Sequence, residues 1–245
     1  MGNQYCKQQA PSAPLLPRPW RASPPFDSEQ LSTLKTRIES YSLPSYLDTK
    51  QARILMLGPF GAGKSSYFNT INSIFQDRIT QQSMVGSSTS SVTIQFSTEP
   101  INPNIQGFIS EPRLQDKVHC VVYVFAASSI KTIEEESWVK LKELQTRMNG
   151  RAIPRIIILT KIDELSETLV GDVSSVYLSK DVQKAVEYVS EKLRFPPGNV
   201  MPIKNYESES MLDNSTSCLA LQALDRMLGY AIDYLTNQHD LMQPT

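Results

Sequence analysis

The stretch Gly58-Pro59-Phe60-Gly61-Ala62-Gly63-Lys64-Ser65 matches G-x-x-x-x-G-K-[ST] at every fixed position. At ordinary glycine usage such a match arises by chance in about one chain in a hundred of this length. Its flanks add weight. The aliphatic run Ala52–Leu57 leads in as a buried strand, and a helix is predicted to leave from Gly63 with Phe68, Ile71 and Phe75 facing inward. Small residues at Gly61, Ala62 and Gly63 allow successive backbone N–H groups to converge on a phosphate, and the helix dipole adds positive potential. Lys64 reaches the β and γ oxygens and is the candidate catalytic residue. The Ser65 hydroxyl is the candidate Mg²⁺ ligand. The full phosphate-contacting set is Gly58, Phe60, Gly61, Ala62, Gly63, Lys64, Ser65 and Ser66.

Outward from this loop, apolar runs alternate with helical periods. Val92–Phe96 alternates like a strand with one wet face, while Val118–Ala126 and Arg155–Thr160 are β-branched runs suited to a parallel sheet buried on both faces. Between the last two lies a helix with Trp138, Leu141 and Met148 inward, Thr132 and Glu135 as a capping box and Gly150 as its stop. Another helix follows Ser179 with Val182, Val186, Val189 and Leu193 inward. A short strand at Val200–Ile203 and a last helix carrying Leu221, Leu224, Leu228, Ile232 and Leu235 complete the pattern. This predicts an α/β fold: a doubly wound, mostly parallel sheet of the P-loop NTPase, G-domain-like kind. The predicted boundaries are a Pro-rich, extended or disordered arm at 1–27, a short amphipathic helix and linker at 28–49 (Leu31, Leu34, Ile38, Tyr41), and the nucleotide domain at 50–240.

Thr160-Lys161-Ile162-Asp163 follows the strand 155–159 and would emerge at the carboxyl end of the sheet, where open α/β folds bind ligands. Asp163 can accept two hydrogen bonds from guanine N1–H and its 2-amino group, a pairing that adenine cannot offer. Lys161 can lay its stem along the base and touch the phosphate loop. Asn205, after the last strand, stands where G domains place guanine-facing backbone. Thr89 and Ser90 in the Ser/Thr-rich run 87–91 are candidates for closing over Mg²⁺, although a mobile polar loop reads the same way. The expected ligands are therefore GTP or GDP with Mg²⁺. An ATPase of the Walker type would need a carboxylate closing an apolar strand, and neither Ala126-Ala127-Ser128 nor Leu159-Thr160 supplies one.

Composition excludes several other classes. The 24 basic and 25 acidic side chains leave a net charge of −1, with no electrostatic footprint for nucleic acid. The longest apolar run, Val118–Ala127, is too short to span a membrane and carries His119. Met1-Gly2 and Cys6 stand close to a lipidation start but lack the Ser or Thr that the rule wants, so lipid anchoring is disfavoured. Three cysteines without framework spacing and two histidines argue against disulfide and histidine-rich metal sites, which points to a reduced, soluble, intracellular chain. His119 and Trp138 read as core, and Glu134–Glu136 as a helix N-terminus.

The stretch Ala52–Ser66 with Phe68-Asn69 and Asn72-Ser73 resembles the interferon-induced protein 44 family. So do Pro19-Trp20-Arg21, Val85-Gly86-Ser87, Asp116–Val121, the Thr-Lys-x-Asp loop and Asn205-Tyr206. The resemblance implies a GTPase-like G domain in a cytoplasmic protein tied to interferon responses and antiviral immunity, with protein partners in immune signalling. It also exposes a departure. The family carries an Asp-x-x-Gly element after the strand corresponding to 92–96, and here Asp77 and Asp116 lack its glycine. One usual strand and its switch are therefore expected to be missing, with Val92–Phe96 or Ile105–Ile109 moving in beside Ala52–Leu57 to satisfy its backbone. Three readings stand: an active GTPase, a guanine-nucleotide binder with slow or no hydrolysis, and a non-binding shortened form acting through its surface. The missing Asp-x-x-Gly argues against the first and the intact loop against the third.

Overall fold

Continuous aliphatic runs suit strands covered on both faces, and four such runs form one parallel sheet. The computed structural model describes residues 14–47, 49–80 and 111–242. In chain order the elements are α1 (Ser28–Glu39), β1 (Ile54–Leu57), α2 (Lys64–Phe75), β2 (Cys120–Ala126), α3 (Glu135–Asn149), β3 (Arg155–Thr160), α4 (Lys180–Leu193), β4 (Val200–Pro202) and α5 (Asn214–Met242). The sheet order is β1-β2-β3-β4, every pair parallel, with Leu57 opposite Tyr123, Ala126 opposite Thr160 and Ile157 opposite Val200. Parallel strands place all their carboxyl ends, and the loops that leave them, at one end of the sheet. The expectations for Val92–Phe96, Ile105–Ile109 and Thr89 lie outside the described residues.

All seven residues of β2 are buried, and because successive side chains point to opposite faces, both faces of the sheet are covered. On one face Phe125 meets Trp138 of α3, which in turn meets Tyr188 of α4. On the other, α2 and α5 are joined by the Tyr67 hydroxyl, which donates to the Ala220 carbonyl at 2.9 Å. Each large apolar side chain fully withdrawn from water contributes about 1.5–3 kcal/mol. The helix α4 follows its sequence pattern: Ser179 caps it through the Val182 amide, and Val182, Val186, Val189 and Leu193 are all buried.

Two local expectations are corrected, and a third holds. The inner face of α2 is Ser66, Tyr67, Asn69, Thr70, Ser73 and Ile74, while Phe68 is exposed and Ile71 and Phe75 only lean on the core. The polar residues can turn inward because they are bonded: the Ser73 hydroxyl donates to the Asn69 carbonyl and accepts from the Thr80 amide. No capping box forms at Thr132 and Glu135. The 3₁₀ segment Ala127–Thr132 turns the Thr132 hydroxyl back onto the Ser129 carbonyl, and Glu134 becomes the N-cap. Gly150 does end α3, but in the right-handed region, and the left-handed turn falls on Ala152.

Residues 14–27 carry no helix or strand and lie across the start of α4 and β4. The Leu16 and Trp20 amides donate to the Leu178 and Tyr177 carbonyls, and Trp20 and Phe26 both pack on the Tyr177 ring. Beyond them, α1 rests on α5 with Leu34 buried. Among the described residues no helix is long and apolar enough to cross a membrane.

Candidate functional site

The 58–65 segment leaves the carboxyl end of β1 pressed against β2. A Cβ at Gly58 would lie 2.1 Å from the Val124 carbonyl oxygen, so the backbone itself requires glycine there. Gly61 and Gly63 have φ of 71° and 89°, left-handed values that glycine adopts without steric cost. Gly63 is the N-cap of α2 and, being glycine, offers no side chain to cap it. The first amides of a helix lack partners within the helix and carry its positive end, so the arrangement favours an anion. Lys64 folds back on the loop, donating to the Gly58 and Pro59 carbonyls at 2.8 Å each. Partial burial holds its ammonium below the ordinary lysine range. Ser65 is exposed on the first turn of α2, Ser66 is buried, and Phe60 projects into solvent.

The end of β3 and the loop after β4 brace this segment. Thr160, the buried last residue of β3, donates its hydroxyl to the Ala62 carbonyl at 2.7 Å. The Asn205 side chain, 4% exposed, reaches the Gly63 carbonyl at 3.3 Å through Nδ2, and the Thr70 hydroxyl accepts from the Tyr206 amide. Thr160, Asn205, the loop and α2 are thus brought together. Thr160 and Asn205 act on loop carbonyls through their side chains.

Lys161 and Asp163 lie in the next turn, with Lys161 in the left-handed region at φ 58° and Asp163 in the 3₁₀ segment Ile162–Leu165. Lys161 is engaged by Glu164 at 3.0 Å, and the other Glu164 oxygen accepts from Ser128 in the loop after β2. Burial alone would raise the Glu164 carboxyl, but the bonds from Ser128 and Lys161 outweigh it and hold the group below its ordinary range. Asp163 moves the other way: burial raises it, against the pull of its own amide and of the Lys204 charge. Lys204 pairs with Glu209 at 2.8 Å and donates to the Val170 carbonyl.

Sequence reasoning missed Glu164 and Lys204. Glu164 adjoins the motif, and Lys204 precedes Asn205 in the loop that leaves β4, so both were reachable by asking which charges gather at the carboxyl ends of the strands. Among the described residues no three His, Cys, Asp or Glu side chains cluster as a metal site. A cavity of about 410 Å³ lined by Arg155, Phe195 and Tyr234 lies at the opposite end of the sheet from this loop.

No family model matches the chain. Interferon-induced protein 44 of Homo sapiens is 30% identical over 237 aligned positions, which take in 76% of this chain and 53% of that protein. Interferon-induced protein 44-like of Homo sapiens is 29% identical, covering 76% of this chain and 52% of its own length. Interferon-induced protein 44 of Mus musculus is 25% identical, with 76% and 56% covered. The chain therefore spans about half the length of the curated relatives it matches. Since 76% of 245 residues is about 186, some 50 of the 237 positions aligned with the human protein face no residue here. With the quoted motifs and these relatives in agreement, the chain belongs to the interferon-induced protein 44 family.

Proposed function

We propose that this chain binds guanine nucleotide at the 58–65 loop with slow or no hydrolysis, and serves as an interferon-induced protein of the immune response. The observation that carries the reading is the build of the loop: two left-handed glycines, a helix that starts from Gly63, and Lys64 folded over the loop, with Thr160 and Asn205 bonded to the Ala62 and Gly63 carbonyls. The α- and β-phosphates lie against the amides of residues 60–66, and the β-phosphate displaces the Gly58 and Pro59 carbonyls as partner of Lys64. Asp163 faces the purine edge. Its partial burial strengthens the two hydrogen bonds from guanine, because water competes less for the carboxylate. Lys161 must exchange Glu164 for the base.

The donor set fits Mg²⁺ in the way small phosphate sites use it. Ser65 supplies one hydroxyl beside Lys64, Thr89 is the second candidate, and the ion otherwise relies on phosphate oxygens and water. When bound it neutralises charge developing on the phosphates. The sequence has no Asp-x-x-Gly between the loop and Asp163, and the roughly 50 unmatched positions agree with a lost strand and switch. Without that aspartate and glycine the site lacks one Mg²⁺ ligand and one contact to the γ-phosphate, which leaves binding intact and turnover slow.

Titration with fluorescent GTP and GDP tests binding. Wild type should saturate, and Lys64→Ala should bind at least about tenfold more weakly, the loss of one charge-assisted bond to phosphate. Equal weak signals from both proteins would refute the proposal. Asp163→Asn should shift preference from guanine toward xanthine. Phosphate release at saturating GTP should stay near the Lys64→Ala background, and a clearly faster rate would make the chain an active GTPase.

A further inference from the structure

The Pro19-Trp20-Arg21 motif is not used by the nucleotide loop. Its arginine lies far along the chain from β4 but reaches it. Arg21 donates to the Val200 carbonyl at 2.8 Å and to the Pro197 carbonyl, and stacks over the Trp20 and Tyr177 rings. Arg226 of α5 donates to the neighbouring Gly198 carbonyl at 2.7 Å. Two guanidinium groups thus converge on one turn, and each keeps N–H donors beyond those bonds. They are close enough that the charge of Arg226 works against that of Arg21.

Both line a cavity of about 440 Å³ between the N-terminal segment, α1 and α5. Asp225 is the one carboxylate among its described lining residues, and it is taken by Arg37 at 3.2 Å. Gln222, also in the lining, holds a buried Nε2 with no hydrogen-bond partner among the described residues. The polar wall therefore has surplus donors and two positive charges without a counter-charge. Leu34, Met201 and the ring of Tyr177, whose hydroxyl bonds to Arg21, supply an apolar wall, and the volume exceeds what a bare oxyanion fills.

From this juxtaposition we propose that the cavity is a second ligand site, which takes a small organic phosphate monoester with its phosphate on Arg21 and Arg226 and its body against Leu34, Tyr177 and Met201. A phosphate monoester carries a charge of about −1.5 to −2 near neutral pH, which matches the two uncompensated arginines, whereas a carboxylate supplies only one charge. The phosphate oxygens also accept from the Gln222 amide, giving its buried donor a partner. The site is separate from the nucleotide loop, so it stands whether or not that loop binds nucleotide.

The test is calorimetric titration of phenyl phosphate into the full chain carrying Lys64→Ala, which weakens the other phosphate-binding candidate. Saturable binding is expected, with inorganic phosphate and benzoate each weaker because one lacks the body and the other the second charge. Arg226 is exposed, so Arg226→Gln in the same background should fold, as circular dichroism can verify, and should weaken phenyl phosphate at least about tenfold. Absence of saturable heat up to about 10 mM ligand would overturn the site, since weaker binding than that lies below a specific contact set. Equal affinity in the Arg226→Gln protein would do so too, and benzoate binding as tightly as phenyl phosphate would overturn the dianion assignment.

Discussion

Gly58 and Gly61 are both glycines of the same loop, yet the structure requires them for different reasons, and the difference can be measured. At Gly58 an added methyl group meets the Val124 carbonyl oxygen, a backbone atom of β2 that cannot rotate aside. At Gly61 an added methyl group meets open space, and only the φ of 71° opposes it. Gly58→Ala should therefore cost about 3 kcal/mol, the upper part of the range for overpacking against a fixed neighbour. Gly61→Ala should cost about 1 kcal/mol, the penalty of left-handed backbone for an L-residue. Urea denaturation of the two variants gives the comparison. Equal losses would mean that β2 yields at Val124 and that the close approach does not constrain the loop. Asn205 makes a related point about side chains: it lies where a guanine contact is expected, but its amide is spent on the Gly63 carbonyl. In this geometry it ties the loop after β4 to the start of α2.

Among the elements, β3 and α4 were legible in the sequence and α2 was only half so. A strand buried on both faces shows as an unbroken apolar run, so Arg155–Thr160 could be read to its ends. The helix α4 buries four aliphatic residues at helical spacing against the sheet, which is the pattern that periodicity detects. The helix α2 instead turns serine, asparagine and threonine inward, and what makes this tolerable is a set of hydrogen bonds to Thr80, Asn205 and Tyr206. Those partners lie far along the chain or in loops, where no spacing rule reaches. The candidate site divides in the same way: the 58–65 loop and Thr160–Asp163 stand out as motifs, whereas the Ser128–Glu164 contact joins residues 36 positions apart and leaves no local trace. The segment joining β1 to β2 offers a test at this scale. His119, fully buried, accepts the Arg53 amide at Nδ1 (2.9 Å), so its proton is on Nε2, facing the Leu114 carbonyl. Burial, reinforced by the Arg53 charge, lowers its pKa below the ordinary value. A histidine that is harder to protonate folded than unfolded contributes stability above the unfolded pKa of about 6.5. That contribution declines as pH falls from there toward the folded pKa and is gone below it. The unfolding free energy should therefore fall between pH 7.5 and pH 5, and His119→Gln should flatten that slope. Identical slopes would show that His119 does not govern the acid limb.

At the scale of the whole molecule, the parallel sheet gathers the loops after β1, β2, β3 and β4 at one end, and the N-terminal segment closes over the side formed by α4, β4 and α5. Arg21 is the main fastener of that closure. It ties residues 14–27 to the turn before β4 through two carbonyls and stacks on Trp20 and Tyr177, the ring on which Phe26 also packs. A guanidinium that bonds two carbonyls and stacks on aromatic rings combines charge-assisted hydrogen bonds with cation–π attraction, each worth on the order of 1 kcal/mol when partly buried. Arg21→Ala should therefore remove about 2–3 kcal/mol in total, which for a chain of this size lowers the melting temperature by roughly 4–12 °C. Arg21→Lys keeps the charge but not the planar fork, and should recover less than half of the loss. Limited proteolysis distinguishes detachment of the segment from a general weakening. If the arginine pins the segment, cleavage within 14–27 accelerates in Arg21→Ala under conditions where the sheet and α5 stay intact, because local opening then costs less than global unfolding. Cleavage that begins at the same rate as in wild type, or that starts simultaneously throughout the chain, would show that the backbone bonds of Leu16 and Trp20 hold the segment without it.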